Sequence, residues 1–307
     1  MAKQTPNAAD YIKPLNMNGL QGRMINMPAP KDRNREILMV YGHHSSIERW
    51  FGLVQVLNKY GAVTMPDLPG FGGMDSFYKI GQKPTLDNMA DYLAAFIKLR
   101  YKRRRITIVG MSFGFVVVTR MLQRFPDLAK RVDVLVSIVG FVHKDDFQLA
   151  PLRHYAFKYL PKLLQWPVTS HFFRGVCLHP WVLRFVYTKT GHAKFADLTP
   201  EQIEQMLEVE IDLWRNNDVR TYMHTTVTMF SLDNCTKRVN LPVWHVATKN
   251  DHFFNNQLIE QHTRVVFTDF HGMEVDLTKH APTVIADAKD AEPFIPLKLR
   301  RILASKP

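Results

Sequence analysis

Residues Arg105–Gly114 read RITIVGMSFG and contain the most informative pattern in the sequence. Arg105–Val109 is an apolar, β-branched run typical of a buried strand, and Ser112–Arg124 has helical periodicity. Positions 110–114 between them match the pattern G-x-S-x-G. In such a turn the serine takes a strained backbone conformation that lifts its hydroxyl above the sheet, and the two glycines allow close backbone contact. The stretch therefore predicts a strand–turn–helix unit with Ser112 as a nucleophile.

Other short β-rich runs alternate with helical patterns along most of the chain. The predicted strands are Glu36–Tyr41, Ala62–Pro66, Arg105–Val109, Val132–Val139, Pro242–Ala247 and Arg264–Phe267. Near-continuous apolar strands that alternate with amphipathic helices are typical of a parallel sheet covered on both faces. We therefore predict an α/β fold class, with a mostly parallel sheet and helices on both faces.

The alternation stops between about Lys144 and Cys235, where only helical periodicity remains. Residues 144–235 lie between two predicted strands, which indicates a helical cap or lid inserted into the sheet domain. The predicted core then comprises residues 1–143 and 236–307, with 1–34 as an N-terminal extension or edge strands.

The composition is globular, and the charge balance is basic. Of 307 residues, 46% are hydrophobic and 22% charged, which excludes a disordered or fibrous chain. The net charge of +12 is concentrated in Lys98–Arg105, Phe147–Ala196 and Lys298–Lys306. The first and last of these segments end predicted helices, so we expect them on the edge of the sheet opposite Ser112. The net charge is thus mostly away from the nucleophile, and we expect no nucleic-acid partner.

Several features bear on compartment and cofactors. Cys177 and Cys235 match no metal-ligand spacing, and free thiols in a reducing cytoplasm are favoured over a disulfide. Met1–Asp10 lacks the pattern of a signal peptide, and the apolar run around Phe113–Val118 is too short to span a bilayer. The sequence has no Cys/His cluster, Walker motif or dinucleotide motif, so we expect a cytoplasmic protein with no metal and no cofactor.

A nucleophilic serine needs a general base and a carboxylate that orients this base. Asp251 follows the strand Pro242–Ala247, and His280 follows the predicted strand Arg264–Phe267 just before the last helix. Chemistry in such sheets lies beyond the carboxyl ends of the strands. We therefore expect Ser112, Asp251 and His280 to meet at that edge as a catalytic triad.

Other residues compete for these roles. His271 lies in the same predicted loop as the proposed base. Asp145 and Asp146 follow the strand Val132–Val139, which is an alternative position for the triad acid. His252 adjoins the proposed acid and is expected at the rim or surface of the site.

Five stretches then occur in one order over about residues 36–290, excluding the cap. They are MVYGHHSS (Met39–Ser46), PDLPGFGG (Pro66–Gly73), GMSFGF (Gly110–Phe115), VATKNDHFF (Val246–Phe254) and KHAPTVIAD (Lys279–Asp287). In these stretches the chain resembles the α/β-hydrolase superfamily. It is most similar to the cap-bearing kind, which includes esterases, monoacylglycerol-lipase-like enzymes, C–C bond hydrolases and proline iminopeptidases.

The resemblance implies an oxyanion hole made of two backbone N–H groups, those of Phe113 and His43. It also implies that Gly42 and Met111 lie beside the substrate, together with cap residues that the sequence does not identify. One departure is Tyr41, which stands where the family's loop usually has His before Gly, and it leaves the shape of this loop open.

A second departure is Phe115, where many relatives have a small residue. We expect its bulk to press on the packing of helix against sheet or to narrow the acyl side of the pocket. The serine itself distinguishes the chain from the dehalogenases and epoxide hydrolases of the superfamily, which have Asp at this position. Ser112 therefore indicates acyl chemistry through a tetrahedral oxyanion.

The resemblance implies a serine hydrolase acting on a small carboxylic ester or related acyl substrate. A C–C bond hydrolase or a prolyl aminopeptidase on the same triad stays open, as does a non-catalytic binding protein of this fold. An aminopeptidase would present cap carboxylates to the substrate amine. Glu204, Glu208 and Glu210 are available, but their helical spacing fits an exposed face better.

The cap segment Phe147–Ala196 carries seven Lys or Arg, no Asp or Glu, and many aromatic residues. We expect more than half of the aromatic residues to form the interior of the cap. They are Phe157, Tyr159, Trp166, Phe172, Phe173, Trp181, Phe185 and Tyr187. A basic, aromatic surface also suits a carboxylate-bearing substrate or weak contact with an anionic membrane surface.

Overall fold

The computed structural model describes residues 7–189, 199–249, 251–276 and 288–305. These residues contain an eight-stranded sheet with the order β1-β2-β4-β3-β5-β6-β7-β8. The strands are β1 Ile12–Met17, β2 Leu20–Met27, β3 Arg35–Val40, β4 Gly61–Pro66, β5 Ile106–Met111, β6 Val132–Ile138, β7 Val239–Thr248 and β8 Phe267–Val275. β1 and β2 form an antiparallel edge, β2 pairs antiparallel with β4, and all other neighbours are parallel. The predicted mostly parallel sheet is confirmed.

Helices follow the strands and form the insertion. They are α1 Phe51–Asn58, α2 Leu86–Tyr101, α3 Phe113–Arg124, α4 Pro126–Ala129, α5 Pro151–Leu163, α6 Pro167–Val176, α7 Pro180–Lys189, α8 Pro200–Asn216, α9 Val219–Met229, α10 Asn256–Val266, α11 Ala288–Ala291 and α12 Leu297–Ala304. Helices α5 to α9 lie between β6 and β7 in the chain, and this helical insertion is called the cap from here on. Within the described ranges, none of the helices is long and apolar enough to cross a membrane.

The central strands are apolar because helices cover both of their faces. Every residue of β5 is buried, and β3, β4 and β6 each have five or more buried positions. Strands that are buried on both sides lose the alternation of apolar and polar residues that a half-exposed strand shows. The carboxyl end of β5 is therefore held rigidly, and Ser112 directly follows it.

One predicted strand, Arg264–Phe267, is wrong. Arg264 lies in the last turn of α10, and β8 begins only at Phe267. Ile259, Thr263 and Val266 are buried at helical spacing, so the apolar residues before Phe267 complete a helix face instead of opening a strand.

The same shift places His271 inside β8 and not in a loop. Its ring stacks on that of Trp244 with the ring centres 3.9 Å apart, and its Nε2 lies 2.9 Å from the carboxylate of Asp269. His271 is thus a residue of the sheet with partners of its own.

Two basic clusters lie at the edge of the sheet opposite Ser112. Lys98–Arg105 covers the end of α2 and the approach to β5, so it lies at the amino end of that strand. The last turn of α12 lies at the amino end of β3, because Arg35 donates hydrogen bonds to the backbone oxygens of Leu303 and Ser305. This placement agrees with the expectation from the sequence.

The aromatic residues of the cap do not form its interior as expected. Side chains on α5, on α7 and in the segments between are largely solvent-exposed, for example Trp166 at 71% and Trp181 at 69%. Phe157, Tyr159, Phe172 and Phe185 are also exposed, and Tyr187 lies outside the described side chains. The expectation that most of them are buried is therefore wrong.

Candidate active site

Ser112 lies at the turn between β5 and α3. Its φ of 47° and ψ of −122° are a backbone conformation that non-glycine residues rarely adopt, and such strain is typical of functional sites. The backbone N–H of Ser112 donates to the carbonyl oxygen of Ile138 at 3.0 Å, which extends the sheet pairing up to the turn. The predicted strand–turn–helix unit is present, with Ser112 half-buried at its apex.

The two glycines of the turn occupy positions where a side chain does not fit. A Cβ at Gly114 would lie 2.3 Å from the carbonyl oxygen of Val40, at the end of β3. A Cβ at Gly110 would lie 2.8 Å from the Cα of Phe115. Both distances are shorter than any allowed contact, so the G-x-S-x-G pattern reflects backbone packing around the serine.

The loop after β3 lies directly against Ser112. A Cβ at Gly42 would be 3.1 Å from the Cβ of Ser112 and 3.4 Å from the carbonyl oxygen of Met111. Phe113 begins α3, and the first backbone N–H groups of a helix have no partner within it. Gly42, Met111 and Phe113 are therefore neighbours of Ser112, and their roles beside the substrate and at the oxyanion stay predictions.

His43 directs its side chain towards the cap. Its Nε2 lies 2.9 Å from Thr225 Oγ1 and 3.3 Å from the carbonyl oxygen of Tyr222, both on α9. Burial, with a smaller effect of His44, lowers the pKa of His43 to about 3, so the ring is neutral at pH 7. Because a carbonyl oxygen only accepts, the ring proton lies on Nε2. The side chain thus links the loop to α9.

Tyr41, which replaces the family's usual His, is fully buried. Its hydroxyl donates to Asp67 Oδ1 at 2.7 Å and accepts from the backbone N–H of Leu68 at 2.9 Å. Burial and the charge of Asp67 raise the pKa of Tyr41 well above its ordinary value, so the phenol keeps its proton. Tyr41 therefore connects the loop after β3 with the loop after β4.

Asn217, between α8 and α9, connects both loops to the cap. This fully buried side chain accepts from the backbone N–H of Gly72 at 2.8 Å, and its Nδ2 lies 3.1 Å from His44 Nδ1. The neighbouring backbone N–H of Asp218 donates to the carbonyl oxygen of Gly70 at 2.8 Å. The sequence analysis missed Asn217; its position just before the N-cap Asp218 of α9 is the only signal for it.

The three cap glutamates do not share an exposed face. Glu204 and Glu208 are exposed and pair with Arg184. Glu210 is 4% exposed, and its carboxylate lies 3.5 Å from His44 Nε2. The expectation of an exposed position is wrong for Glu210. It lies on the same side of α8 as the buried Leu207 and Ile211 and the half-buried Trp214, at a spacing that the sequence displays.

Asp251 follows β7 in a tight turn. Its Oδ1 accepts from the backbone N–H groups of Phe253 at 2.8 Å and Phe254 at 3.1 Å, and Oδ2 lies 3.2 Å from Thr248 Oγ1. Since β5, β6 and β7 are adjacent and parallel, Asp251 lies at the same edge of the sheet as Ser112.

Asp146, the alternative acid, is fully buried and has different partners. Its Oδ2 accepts from the backbone N–H groups of Val142 and His143, both at 2.9 Å, and its Oδ1 pairs with His262 of α10. The side chain of Asp145 is 59% exposed. Asp146 thus holds a turn after β6 and already engages a histidine.

His280 lies outside the described residues, as does the rest of 277–287. Its approach to Ser112 and Asp251 stays a prediction. Of the other histidines near the proposed site, His252 is exposed, as expected of a rim position.

Phe115 packs below the site and not into it. It is fully buried, its ring centre lies 5.7 Å from that of Phe267, and a Cβ at Gly140 would be only 2.6 Å from its Cδ1. Of the two expectations, the structure therefore favours helix-against-sheet packing, which the absence of a side chain at Gly140 makes possible.

The described part of the chain contains no group of three or more His, Cys, Asp or Glu that could hold a metal ion. Cys177 and Cys235 are free and half-buried. Burial and the neighbouring Asp233 raise the pKa of Cys235 to about 11, so this thiol is protonated and unreactive at pH 7.

Comparison with known proteins gives the class. Residues 37–261 match the family model of the α/β hydrolase fold. The chain belongs to the α/β hydrolase family, and it is by class a hydrolase. No curated protein sequence matches it.

Solved structures with the same fold include several hydrolases. An esterase from Exiguobacterium antarcticum has a TM-score of 0.67 at 14% identity, covering 94% of this chain and 97% of its own. A putative lipase from Acinetobacter baumannii AYE has a TM-score of 0.63 at 15% identity, covering 96% and 92%. The enol-lactonase from Burkholderia xenovorans LB400 has a TM-score of 0.61 at 13% identity, covering 86% of this chain and 91% of its own. At these identities the likeness establishes the fold.

Proposed function

We propose that the chain is a serine hydrolase that cleaves a small carboxylic ester or a related acyl substrate. Ser112 is the nucleophile, His280 the general base, and Asp251 the carboxylate that orients His280. The backbone N–H groups of Phe113 and His43 stabilise the oxyanion. The observation that carries the proposal is the strained backbone of Ser112, with the Gly42 loop directly against its side chain.

In the first half of the reaction, Ser112 Oγ forms a bond to the acyl carbon while its proton passes to His280. The carbonyl electrons move onto oxygen, and the two N–H groups hydrogen-bond the resulting oxyanion. When this intermediate collapses, the bond to the alcohol breaks and His280 returns the proton to the leaving oxygen. Water then attacks the acyl-serine with the same proton transfers and releases the acid.

Three observations support ester or acyl chemistry. A serine at the apex of the turn supplies an oxygen nucleophile, and the first N–H of α3 is adjacent to it. The neutral side chain of His43 is held by a contact with Thr225 of α9, and Gly42, the residue before it in this loop, lies directly against Ser112. Structures of similar fold include an esterase, a lipase and an enol-lactonase, which by name act on esters or lactones.

A fluorophosphonate probe tests the nucleophile, because it reacts covalently with activated serine hydroxyls. We expect the wild-type chain to be labelled, Ser112→Ala to be unlabelled, and His280→Ala to react at least a hundredfold more slowly. Ser46→Ala, a change in the nearby loop after β3, is the matched control and should be labelled like wild type. An unlabelled wild-type chain, or equal labelling of Ser112→Ala, would instead favour a non-catalytic binding protein.

A panel of substrates is needed to determine which type of bond the protein cleaves. We expect p-nitrophenyl esters of graded chain length to be hydrolysed, with acyl-enzyme detected by mass spectrometry after rapid acid quench. Preferred turnover of a ring-fission ketone would contradict ester specificity and assign a C–C bond hydrolase. Preferred turnover of a prolyl anilide would assign an aminopeptidase.

A further inference from the structure

Exposed apolar side chains are concentrated on three consecutive cap helices. Among the described residues, thirteen of the seventeen large exposed apolar side chains lie between positions 152 and 186. Soluble monomers rarely expose contiguous apolar patches of more than a few hundred Å² without an interaction partner. We call ten of these exposed residues the lid face: Leu152, Tyr155, Tyr159, Leu163, Trp166, Val168, Phe172, Val176, Trp181 and Phe185.

On α5 the exposed residues form one stripe along the helix. Leu152, Tyr155, Tyr159 and Leu163 follow each other at intervals of three or four residues, which places them on a single side. Phe157 lies on a different side and stacks on Phe230, with the ring centres 5.1 Å apart. The packing of α5 on the rest of the protein therefore does not involve the exposed stripe.

α6 and α7 repeat this arrangement. Val168, Phe172 and Val176 are four residues apart on α6 and are 81%, 66% and 49% exposed. Trp181 and Phe185 are four residues apart on α7, and their rings stack at 5.9 Å. Each of the three helices thus presents apolar residues outwards at helical spacing.

Positive charges are interleaved with these apolar residues. The ammonium groups of Lys158 and Lys162 lie 5.6 Å and 4.7 Å from the ring centre of Tyr159. The segment Phe147–Ala196 contains seven Lys or Arg and no Asp or Glu. Lys side chains beside apolar groups extend their charges to the polar side of an interface, and Trp and Tyr prefer the same depth in a membrane.

We propose that the lid face docks on an anionic lipid bilayer. Apolar residues would enter the boundary between headgroups and acyl chains, and the cations would contact lipid phosphates. The positive charge favours this partner over a second copy of the chain. Lys158 and Lys162 beside Tyr159 have no Asp or Glu in their own segment, so a dimer through the α5 part of the lid face would bring like charges together, whereas an anionic bilayer complements them.

Vesicle flotation tests the docking independently of catalysis. We expect Ser112→Ala protein to float with vesicles of phosphatidylcholine containing about a third phosphatidylglycerol, and at least about tenfold less with phosphatidylcholine alone. Raising the salt concentration to about 1 M should weaken the binding, because it screens the headgroup charge.

Two double variants, one in the lid face and one in the lysines beside it, should each reduce the partition coefficient by about tenfold or more. Trp166→Ser with Phe172→Ser removes apolar insertion, and Lys158→Glu with Lys162→Glu removes charge attraction. The matched controls are Leu297→Ser, an apolar residue 70% exposed on α12, and Lys102→Glu with Arg103→Glu in the opposite basic cluster. Both controls should bind vesicles like wild type.

Three results would overturn the docking proposal. They are no flotation of the wild-type chain with anionic vesicles, equal loss of binding in the control variants, and a dimer in light scattering that the lid-face variants convert to monomers. Fluorophosphonate labelling of the same variants separates this proposal from the proposed function. Labelled protein that does not float contradicts docking alone, and floating protein that is not labelled contradicts catalysis alone.

Discussion

The phenolic oxygen of Tyr41 lies 2.7 Å from Oδ1 of Asp67, and both side chains are fully buried. This hydrogen bond joins the loop beside Ser112 to the loop after β4. The carboxylate also accepts from Arg23 Nε and the backbone N–H of Gly73, both at 2.9 Å. The residue that departs from the family pattern is therefore part of a buried network that fixes the position of the loop.

Tyr41→Phe should lower the free energy of unfolding by about 1–3 kcal/mol, because a buried carboxylate loses a charge-assisted donor. Urea denaturation measures this loss. Tyr92→Phe is the matched control, since the Tyr92 hydroxyl donates to the uncharged backbone oxygen of Asp67 at 3.1 Å. The control should lose about half as much. Equal losses in the two variants would show that the charge of Asp67 is not important.

The two candidate acids should respond differently to Asp→Asn. Asp251→Asn should reduce the fluorophosphonate labelling rate by about a thousandfold or more with little change in melting temperature, because the base loses its orienting carboxylate. Asp146→Asn should instead lower the melting temperature, since its carboxylate, unlike that of Asp251, is fully buried and pairs with His262. The reverse pattern would assign the acid to the position after β6.

Asn217→Ala should separate the cap from the two loops that it contacts. The variant leaves the backbone N–H of Gly72 and the ring of His44 without this partner, so we expect about tenfold slower labelling of Ser112 and a loss of about 1–2 kcal/mol in unfolding free energy. Asn216→Ala changes the exposed neighbour on α8 and is the control, with no expected effect. Unchanged labelling of Asn217→Ala would show that the contact is not needed to position the loop.

The sequence predicted the parts of the fold and site that depend on local pattern. The turn around Ser112 could be predicted because Gly110 and Gly114 are required by contacts within a few residues and with the adjacent strand β3. The position of Asp251 at the edge of the sheet could be predicted because Asp251 comes shortly after an apolar strand. These features follow from spacing along the chain.

The contacts of the cap were not predictable in this way. Asn217 and Glu210 meet His44 across about 170 residues of chain, and no periodicity specifies which loop a cap helix contacts. The exposed aromatic residues of α5 to α7 were predicted to be buried because composition alone does not distinguish an interior from an interface. The position of the boundary between α10 and β8 was predicted wrongly because β-branched residues occur in both helices and strands.

His245 should make the stability depend on pH below neutrality. Its ring is 3% exposed, its Nδ1 lies 2.9 Å from Ser137 Oγ, and burial lowers its pKa to about 4. Between pH 6.5 and 4 the unfolded chain binds a proton that the folded chain does not, so stability falls as the pH falls through this window. We expect a contribution of about 2 kcal/mol to the loss between pH 7 and 4.5.

His245→Asn removes the titrating group and keeps a polar atom near the Nδ1 position. Urea denaturation of both proteins at pH 7 and pH 4.5 should show a smaller difference for the variant than for wild type. An equal difference would assign the acid sensitivity to other groups.

Gly42→Ala should impair reaction at Ser112 with little effect on stability. The new Cβ would lie 3.1 Å from the Cβ of Ser112 and 3.6 Å from its Oγ, which requires the loop to move by a few tenths of an ångström. Because oxyanion stabilisation depends on donors within hydrogen-bond distance of the developing charge, we expect labelling and ester hydrolysis to slow about tenfold or more.

Gly175→Ala, where no atom lies within 4 Å of the new Cβ, is the control on α6. It should leave the rate unchanged and slightly raise the melting temperature, because alanine favours a helix more than glycine does. Full reactivity of Gly42→Ala would show that the loop after β3 does not supply an oxyanion donor.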